Sequence, residues 1–346
     1  MSSTGPVISE RVSMQDGAGG RAMRSLVEEI FLPGFESDQE GVIGLSAMDD
    51  GAAIRLGDRW LVLTTDSHVV HPIFFPGGDI GRLAIAGTVN DLAVMGATRV
   101  LGLTCAAIIE EGLPKTILRR IQRSIREACA EAGTSIVTGD TKVMGRGELD
   151  GIILNTSGIG MCERVVSDAG LHPGDRIIVT GSLGDHGMAV MAVRHELELD
   201  GDLESDVMPI NDLIDAALRV GGSGIVAMKD PTRGGVASAL HEMATKSHVG
   251  IVIAEVCLPV RAAVRSASEL LGIDPLRIAN EGKALLGVRP DRAADVLDAL
   301  RHHPKGRDAA IIGECFAERA GSVVLDTGFG RRLLTEADGE PLPRIC

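Results

Sequence analysis

Residues 99–142, RVLGLTCAAIIEEGLPKTILRRIQRSIREACAEAGTSIVTGDTK, hold the order of elements that decides the fold. Residues 99–109 form a long apolar run suited to a strand, and 114–132 read as a helix that stops at Gly133. A second β-rich run follows at 135–138, and a third at 151–162. On the N-terminal side, 79–95 places Ile80, Leu83, Ala84, Gly87, Leu92 and Met95 near helical spacing, with Asp79 as N-cap and Gly96 as stop. Three short β-rich runs precede it at 42–46, 52–56 and 60–65, separated by Asp/Gly turns, and predict an antiparallel start. Strands and helices are thus mixed without strict alternation. This order favours an α/β (α+β) class with a mixed sheet covered by helices over a doubly wound parallel nucleotide fold.

The chain has 346 residues, enough for about two domains at roughly 150 residues each. A polar stretch at 167–175 precedes a fresh strand at 176–180 and marks the expected boundary. Beyond it, helical patterns at 188–197, 211–220, 235–245, 260–271 and 292–302 interleave with strand patterns at 250–254, 285–288, 309–312 and 322–325. The expected layout is a glycine-rich segment with a helix (1–40), a first domain (41–166), a second domain (167–333) and a mobile tail (334–346). After Leu334 the chain carries charges, glycine and two prolines with no apolar period. Its last twelve residues could span about 40 Å when extended, enough to bring Cys346 to its own site, a neighbouring subunit or another protein.

Lys plus Arg number 34 against 48 Asp plus Glu, and a formal charge of -14 argues against nucleic acid and against an anionic membrane as partners. Six Phe, one Trp and no Tyr leave few stacking platforms for single-stranded nucleic acid or sugars. Residues 1–11 lack the apolar core of a signal peptide, and no apolar stretch approaches the roughly 18 residues of a membrane span, so a cytoplasmic location is expected. The six cysteines stand apart with no Cys-x-x-Cys pair; five read as small buried apolar residues, and Cys346 differs as the last residue.

Acidic residues recur at the expected ends of strands and in the first long helix: Asp49 and Asp50, Asp66, Asp91 after Asn90, and Asp140. Read singly, each serves equally well as a cap or turn residue. Converging, they suit a hard cation such as Mg²⁺, held by a few carboxylates and a substrate's phosphates. Gly17, Gly19 and Gly20 could set backbone N–H groups around a phosphate, or form a plain N-terminal loop. Asp230 to Gly235 is a similar loop-to-helix turn, where Arg233 could meet an anion and Asp230 a cation. Lys142 and Glu281, if brought together in a dry cleft, could share a proton and remove one from an amide; otherwise each is a surface charge. His68 and His71 fall in what reads as a long loop.

Taken in order, Gly17–Gly20, Asp49-Asp50-Gly51, Thr64-Thr65-Asp66-Ser67, Phe75-Pro-Gly-Gly-Asp79, Asn90-Asp91, Gly139–Lys142, Gly184-Asp185-His186-Gly187, Asp230–Gly235, Asn280–Gly282 and Pro343-Arg-Ile-Cys346 resemble the HypE family of hydrogenase maturation proteins. These motifs span nearly the whole chain. The cysteine-terminated tail sets that family apart within the aminoimidazole ribonucleotide synthetase-like (PurM) superfamily. One departure is Asp16, where the family pattern leads to a histidine.

The resemblance implies two PurM-like domains and a homodimer whose sheets pack together with ATP sites between them. It also implies ATP-dependent dehydration of a carboxamide carried on Cys346, giving a thiocyanate that supplies cyanide to the iron of [NiFe]-hydrogenase. By the same resemblance a carbamoyltransferase, HypF, loads the thiol, and a HypC–HypD complex receives the cyanide. ATP would phosphorylate the carboxamide oxygen, and loss of phosphate with a proton would leave the nitrile. Asp50, Asp66, Asp91 and Asp140 are the implied Mg²⁺ ligands, and Gly17, Gly19, Gly20, Asp49, Asn90, Asp230, Arg233 and Gly234 the implied ATP-binding residues. Cys346, Lys142 and Glu281 are the implied catalytic group. Two rival readings are a superfamily synthetase activating a free amide or selenide, and a non-catalytic nucleotide-binding scaffold.

Overall fold

The computed structural model describes residues 11–17, 19–35, 40–197, 203–336 and 344–346; positions 1–10, 18, 36–39, 198–202 and 337–343 of the expected segments lie outside the described residues. After helix α1 (Gly20–Leu26) come strands β1 (Val42–Ile43), β2 (Ala52–Leu56) and β3 (Arg59–His68), then the short hairpin β4 (Phe74–Phe75) and β5 (Gly78–Asp79). Helix α2 (Ile80–Val94), strand β6 (Arg99–Glu110), helix α3 (Lys115–Ala132) and strands β7 (Ile136–Met144) and β8 (Ile152–Cys162) complete the first half.

Six of these strands make one sheet, ordered β1-β2-β3-β8-β6-β7. All its pairs are antiparallel except β6 with β7. The antiparallel start expected at residue 42 is therefore present, although β3 runs on to His68. That residue closes a strand and is buried, so it does not belong to a loop.

Helix α2 begins where the sequence places it, because the Asp79 carboxylate accepts hydrogen bonds from the N–H groups of Gly81 (2.8 Å) and Arg82 (3.0 Å). It ends before Gly96, whose φ of 92° suits a residue without Cβ. It is buried on almost every side, and its residues enter three separate apolar clusters. Small residues allow such close packing. At Gly87 a Cβ would lie 2.8 Å from the His68 ring and 3.2 Å from the Asp66 carboxylate.

Helix α3 packs Ile121, Ala128, Cys129 and Ala132 inward and ends at Gly133 in a left-handed cap. Together α2 and α3 cover one face of the sheet. The other face leaves Ile54, Leu63 and Ile159, neighbours across β2, β3 and β8, exposed.

In the second half, β9 (Arg176–Val179), α4 (Asp185–Arg194), α5 (Asn211–Gly221), β10 (Ile225–Lys229), α6 (Gly235–Ser247), β11 (Gly250–Ala254), α7 (Ala262–Leu271), β12 (Leu285–Val288), α8 (Ala293–His302), β13 (Ala310–Phe316), β14 (Val323–Asp326) and β15 (Arg331–Leu334) follow in order. The seven strands form a mixed sheet ordered β10-β12-β9-β13-β11-β14-β15. Helices cover both of its faces. Ile177 and Val179 join the cluster of α6, whereas Ile178 joins that of α5 and α8, as the two-residue period of a strand requires. This explains why these strands read as continuous apolar runs.

Two differences from the sequence reading bear on function. Strand β7 does not stop at residue 138; pairing alongside the twelve-residue β6 carries it to Met144, so Gly139–Lys142 lie within an edge strand. Among the cysteines, Cys129 and Cys315 are buried and Cys105 and Cys162 half-buried. Cys257, expected to be buried, is exposed, because it sits in the short turn Glu255–Cys257 after β11.

Candidate active site

A cavity of about 480 Å³ opens between α1, the first sheet and the start of α6. Gly19, Gly20, Asp49, Asp50, Asp66, Asp91, Asp230, Arg233, Glu281 and Cys346 all line it. Each arrives from a different local device. Asp50 ends the turn before β2, and its backbone oxygen accepts from the Thr64 hydroxyl (3.0 Å). The same hydroxyl oxygen lies 2.9 Å from Asp91 Oδ2, which ties β3 to α2. Gly19 adopts φ of 83°, and a Cβ there would lie 2.7 Å from Arg233 Cβ. Only glycine allows that loop to touch the Asp230–Gly235 turn.

Asn280 knits three of the sequence motifs together. Its side-chain oxygen accepts from Gly184 N (2.8 Å), while its amide donates to the carbonyls of Pro231 and Ile278 (3.1 and 3.0 Å). The neighbouring Glu281 is held by its backbone: its N–H donates to Asp206 (3.1 Å), and its carbonyl accepts from Asn90 Nδ2 (3.1 Å). Asn90 is thus a buried positioning residue beneath the cavity and does not line it.

The electrostatics are those of acids crowded out of water. Burial first, then Asp230, Asp66 and Asp50, push the Asp91 carboxyl well above its usual range. Burial and the neighbouring aspartates do the same to Asp230 and Glu281. Asp50 is raised to about 6 by burial and by Asp49 and Asp168, against the pull of Lys229. Asp50 Oδ2 and Glu281 Oε1 are buried without a hydrogen-bond partner. Carboxylates with raised pKa values and spare oxygens fit a divalent cation, which would relieve their repulsion. Among the described residues, no group of three or more His, Cys, Asp or Glu side chains forms a ready-made metal site. Arg233 is held firmly protonated, first by the negative charge at Cys346 and then, against burial, by Asp66, Glu281 and Asp91.

Other expected residues fall elsewhere. Asp140 and Lys142 pair with each other at 2.9 Å, with side chains 62% and 69% exposed, outside this chain's cavity. The register Asp66↔Thr156, Thr156↔Cys105, Cys105↔Gly139 puts three strand spacings, about 14 Å, between β3 and β7. Within one chain, therefore, Asp140 does not join the other aspartates and Lys142 does not meet Glu281. Gly17 lies in an exposed turn away from the cavity, where Asp16 accepts from Ser13 N and Oγ (2.6 and 2.9 Å). Gly234, with φ of 76°, precedes α6, and its Cβ would strike Ser238.

The sequence reading missed Lys229, whose Nζ lies 2.6 Å from Asp50, 3.2 Å from Glu242 and 3.4 Å from Asp168. It also missed Lys246, which bonds Asp168 at 2.7 Å. The only local signal was the place of Lys229, directly before Asp230-Pro-Thr-Arg. The tail end is docked here. Ile345 is 2% exposed, and its carbonyl lies 2.8 Å from His186 Nε2. Among the described residues no helix is long and apolar enough to cross a membrane.

Comparison with known proteins places these features in a family. Models described as the N-terminal and C-terminal domains of AIR synthase related protein match residues 48–162 and 172–326. A carbamoyl dehydratase HypE of Rhizobium leguminosarum bv. viciae is 46% identical over 344 residues, covering 98% of this chain and 96% of the relative. A solved HypE–HypF complex superposes with a TM-score of 0.83 at 46% identity, over 90% of this chain and all of that one. A solved HypE in complex with ATP gives a TM-score of 0.80 at 42% identity, over 97% of this chain and all of that one.

Proposed function

We propose, from the premise that this chain belongs to the AIR synthase related family and within it to the HypE carbamoyl dehydratases, that it dehydrates a carboxamide carried on its own terminal thiol. The observation that carries this reading is Cys346 lining the same acidic cavity as Asp50, Asp91, Asp230, Arg233 and Glu281. The overall reaction is Cys346–S–C(O)NH2 plus ATP giving Cys346–S–C≡N, ADP, phosphate and a proton. The amide oxygen leaves with phosphate, and the nitrogen loses both its hydrogens.

Glu281 is suited to accept an amide proton. It is buried, its backbone is fixed on both sides, one oxygen is unpartnered, and its raised pKa makes it a stronger base than an ordinary carboxylate. Arg233 holds the negative end of the tail and offsets charge on the departing phosphate. Asp50, Asp66, Asp91 and Asp230 would hold Mg²⁺, which supplies positive charge against the nucleotide phosphates.

Asp140 and Lys142 enter through a second copy. Their register partners Ala106 and Ile108 lie on the uncovered sheet face that also exposes Ile54, Leu63 and Ile159. A homodimer packing these faces would bury that apolar surface and could bring Asp140 and Lys142 of one subunit to the other's site. The HypF of the solved complex is the proposed carbamoyl donor enzyme, and a HypC–HypD iron complex the proposed acceptor of cyanide.

Intact-mass analysis after incubation with the carbamoyltransferase, carbamoyl phosphate and ATP tests the reading. The carbamoyl adduct on the C-terminal peptide loses one water in the wild type. In Glu281→Gln it persists, with dehydration slowed by about 10²–10⁴. An adduct that never forms on Cys346, or never loses water, refutes the proposal.

A further inference from the structure

The Gly184-Asp185-His186-Gly187 motif has no part in the chemistry above, yet it begins α4 directly beneath the tail. His186 is fully buried, stacked edge-on against Phe75 with ring centroids 5.3 Å apart, and its two nitrogens face different partners. Nδ1 lies 2.8 Å from Ser205 Oγ, whose oxygen accepts from Val207 N (3.1 Å) and whose hydroxyl proton is free to go to the ring. The Ile345 carbonyl, 2.8 Å from Nε2, can only accept, so Nε2 carries the ring hydrogen and Nδ1 is left to accept from Ser205. At the far end of the same helix Arg194 donates to the carbonyls of His71 and Arg344, and His71 N donates to Arg344 O at 3.2 Å. Between these two grips the Ile345 side chain enters the apolar cluster of Met188, Val264 and Ile278. The Arg344 guanidinium bonds Asp150 at 2.6 Å.

We propose that α4 is the reader of the tail: His186 and Arg194 are positioning residues that hold the Ile345 and Arg344 carbonyls in register, with Ile345 as the anchor. Recognition then resides in two backbone carbonyls and one apolar side chain, none of which carries the cargo. The tail docks in the same register whether its sulfur is bare or modified. The segment α4 would select carries an apolar residue directly before the cysteine; the Arg344 side chain is read by Asp150, outside α4. This inference rests on the reading of Cys346 as the cargo carrier, but its test uses neither ATP nor a carbamoyl donor.

The full-length protein is pulsed with a small thiol alkylator, and the rate at each cysteine is read by peptide mass. Exposed Cys257 marks fast labelling, and Cys315, 3% exposed, marks the intact core. His186→Ala and Arg194→Ala each raise the Cys346 rate about tenfold, equivalent to about 1.4 kcal/mol of docking, while Cys315 stays protected. His186→Gln, whose amide N–H reaches the same carbonyl, keeps Cys346 within about threefold of wild type. Should His186→Ala expose Cys315 as well, Arg194→Ala and Ile345→Asp decide. Unchanged Cys346 rates in both overturn the proposal, and raised rates with Cys315 protected support it. Protection that behaves as stated, alongside a carbamoyl adduct that never loses water, would leave the docking proposal standing and refute only the dehydration.

Discussion

Replacing Lys229 with methionine removes an ammonium that three carboxylates share in a site where its side chain is 9% exposed. Taking one partner from a buried ion set costs about 3–5 kcal/mol, because charge is left behind without compensation. Here the lower end applies. Asp168 keeps Lys246 at 2.7 Å and Glu242 keeps Arg24 at 3.3 Å, so the loss falls mainly on Asp50, whose nearest cation is Lys229 at 2.6 Å. A loss of about 3 kcal/mol should lower the melting temperature by about 6–12 °C for a domain of this size.

The loss must also depend on pH. The folded-state pKa of Asp50 is raised from 3.8 to about 6, so the unfolded chain gives up this proton first; stability falls as pH rises between those two values, and the cost is constant above the higher one. Without Lys229 its pKa climbs further, which makes the mutant's deficit largest at pH 8 and smaller toward pH 5, where the folded protein holds the proton. Thermal unfolding of both proteins at pH 5, 6.5 and 8 measures it. A deficit under about 1 kcal/mol at pH 8, or equal deficits at pH 5 and 8, would refute the claim that Lys229 compensates the aspartate cluster.

Divalent-cation binding in the presence of nucleotide should weaken by about tenfold between pH 7 and pH 5, because the ion must displace protons from Asp50 and from Asp91 and Asp230, whose carboxyls burial also raises; titration calorimetry across that range reads it, and a flat profile contradicts it. A charge placed on the bare sheet face, Ile159→Glu, should convert a dimer to a monomer in size exclusion with light scattering while leaving the melting temperature within a few degrees. If the face is not an interface, the mass will not change.

Local chemistry was legible in the chain. Asp79 caps α2 because its carboxylate needs only the two N–H groups that follow it in sequence, and Gly133 ends α3 because its own backbone permits the left-handed turn. The motifs around Asp50, Asp66 and Asp91 suggested an acidic site only if they converged, since each aspartate alone suits a cap or turn equally well. Their convergence depends on sheet order and on small residues such as Gly87, which allow α2 to approach β3 closely.

Tertiary structure alone decided the remainder. Lys142 looked like a partner for Glu281, yet strand pairing carries it to an exposed sheet edge while Glu281 lies buried in the second half. Lys229 passed unnoticed, for nothing in its neighbours along the chain says that three carboxylates from distant segments will surround it. His186 meets a tail residue 159 positions away in sequence, while Ser205 holds the other nitrogen of its ring. Sequence determines which groups can donate, accept or cap within a few residues; which of them meet is set by the burial that brings remote segments together.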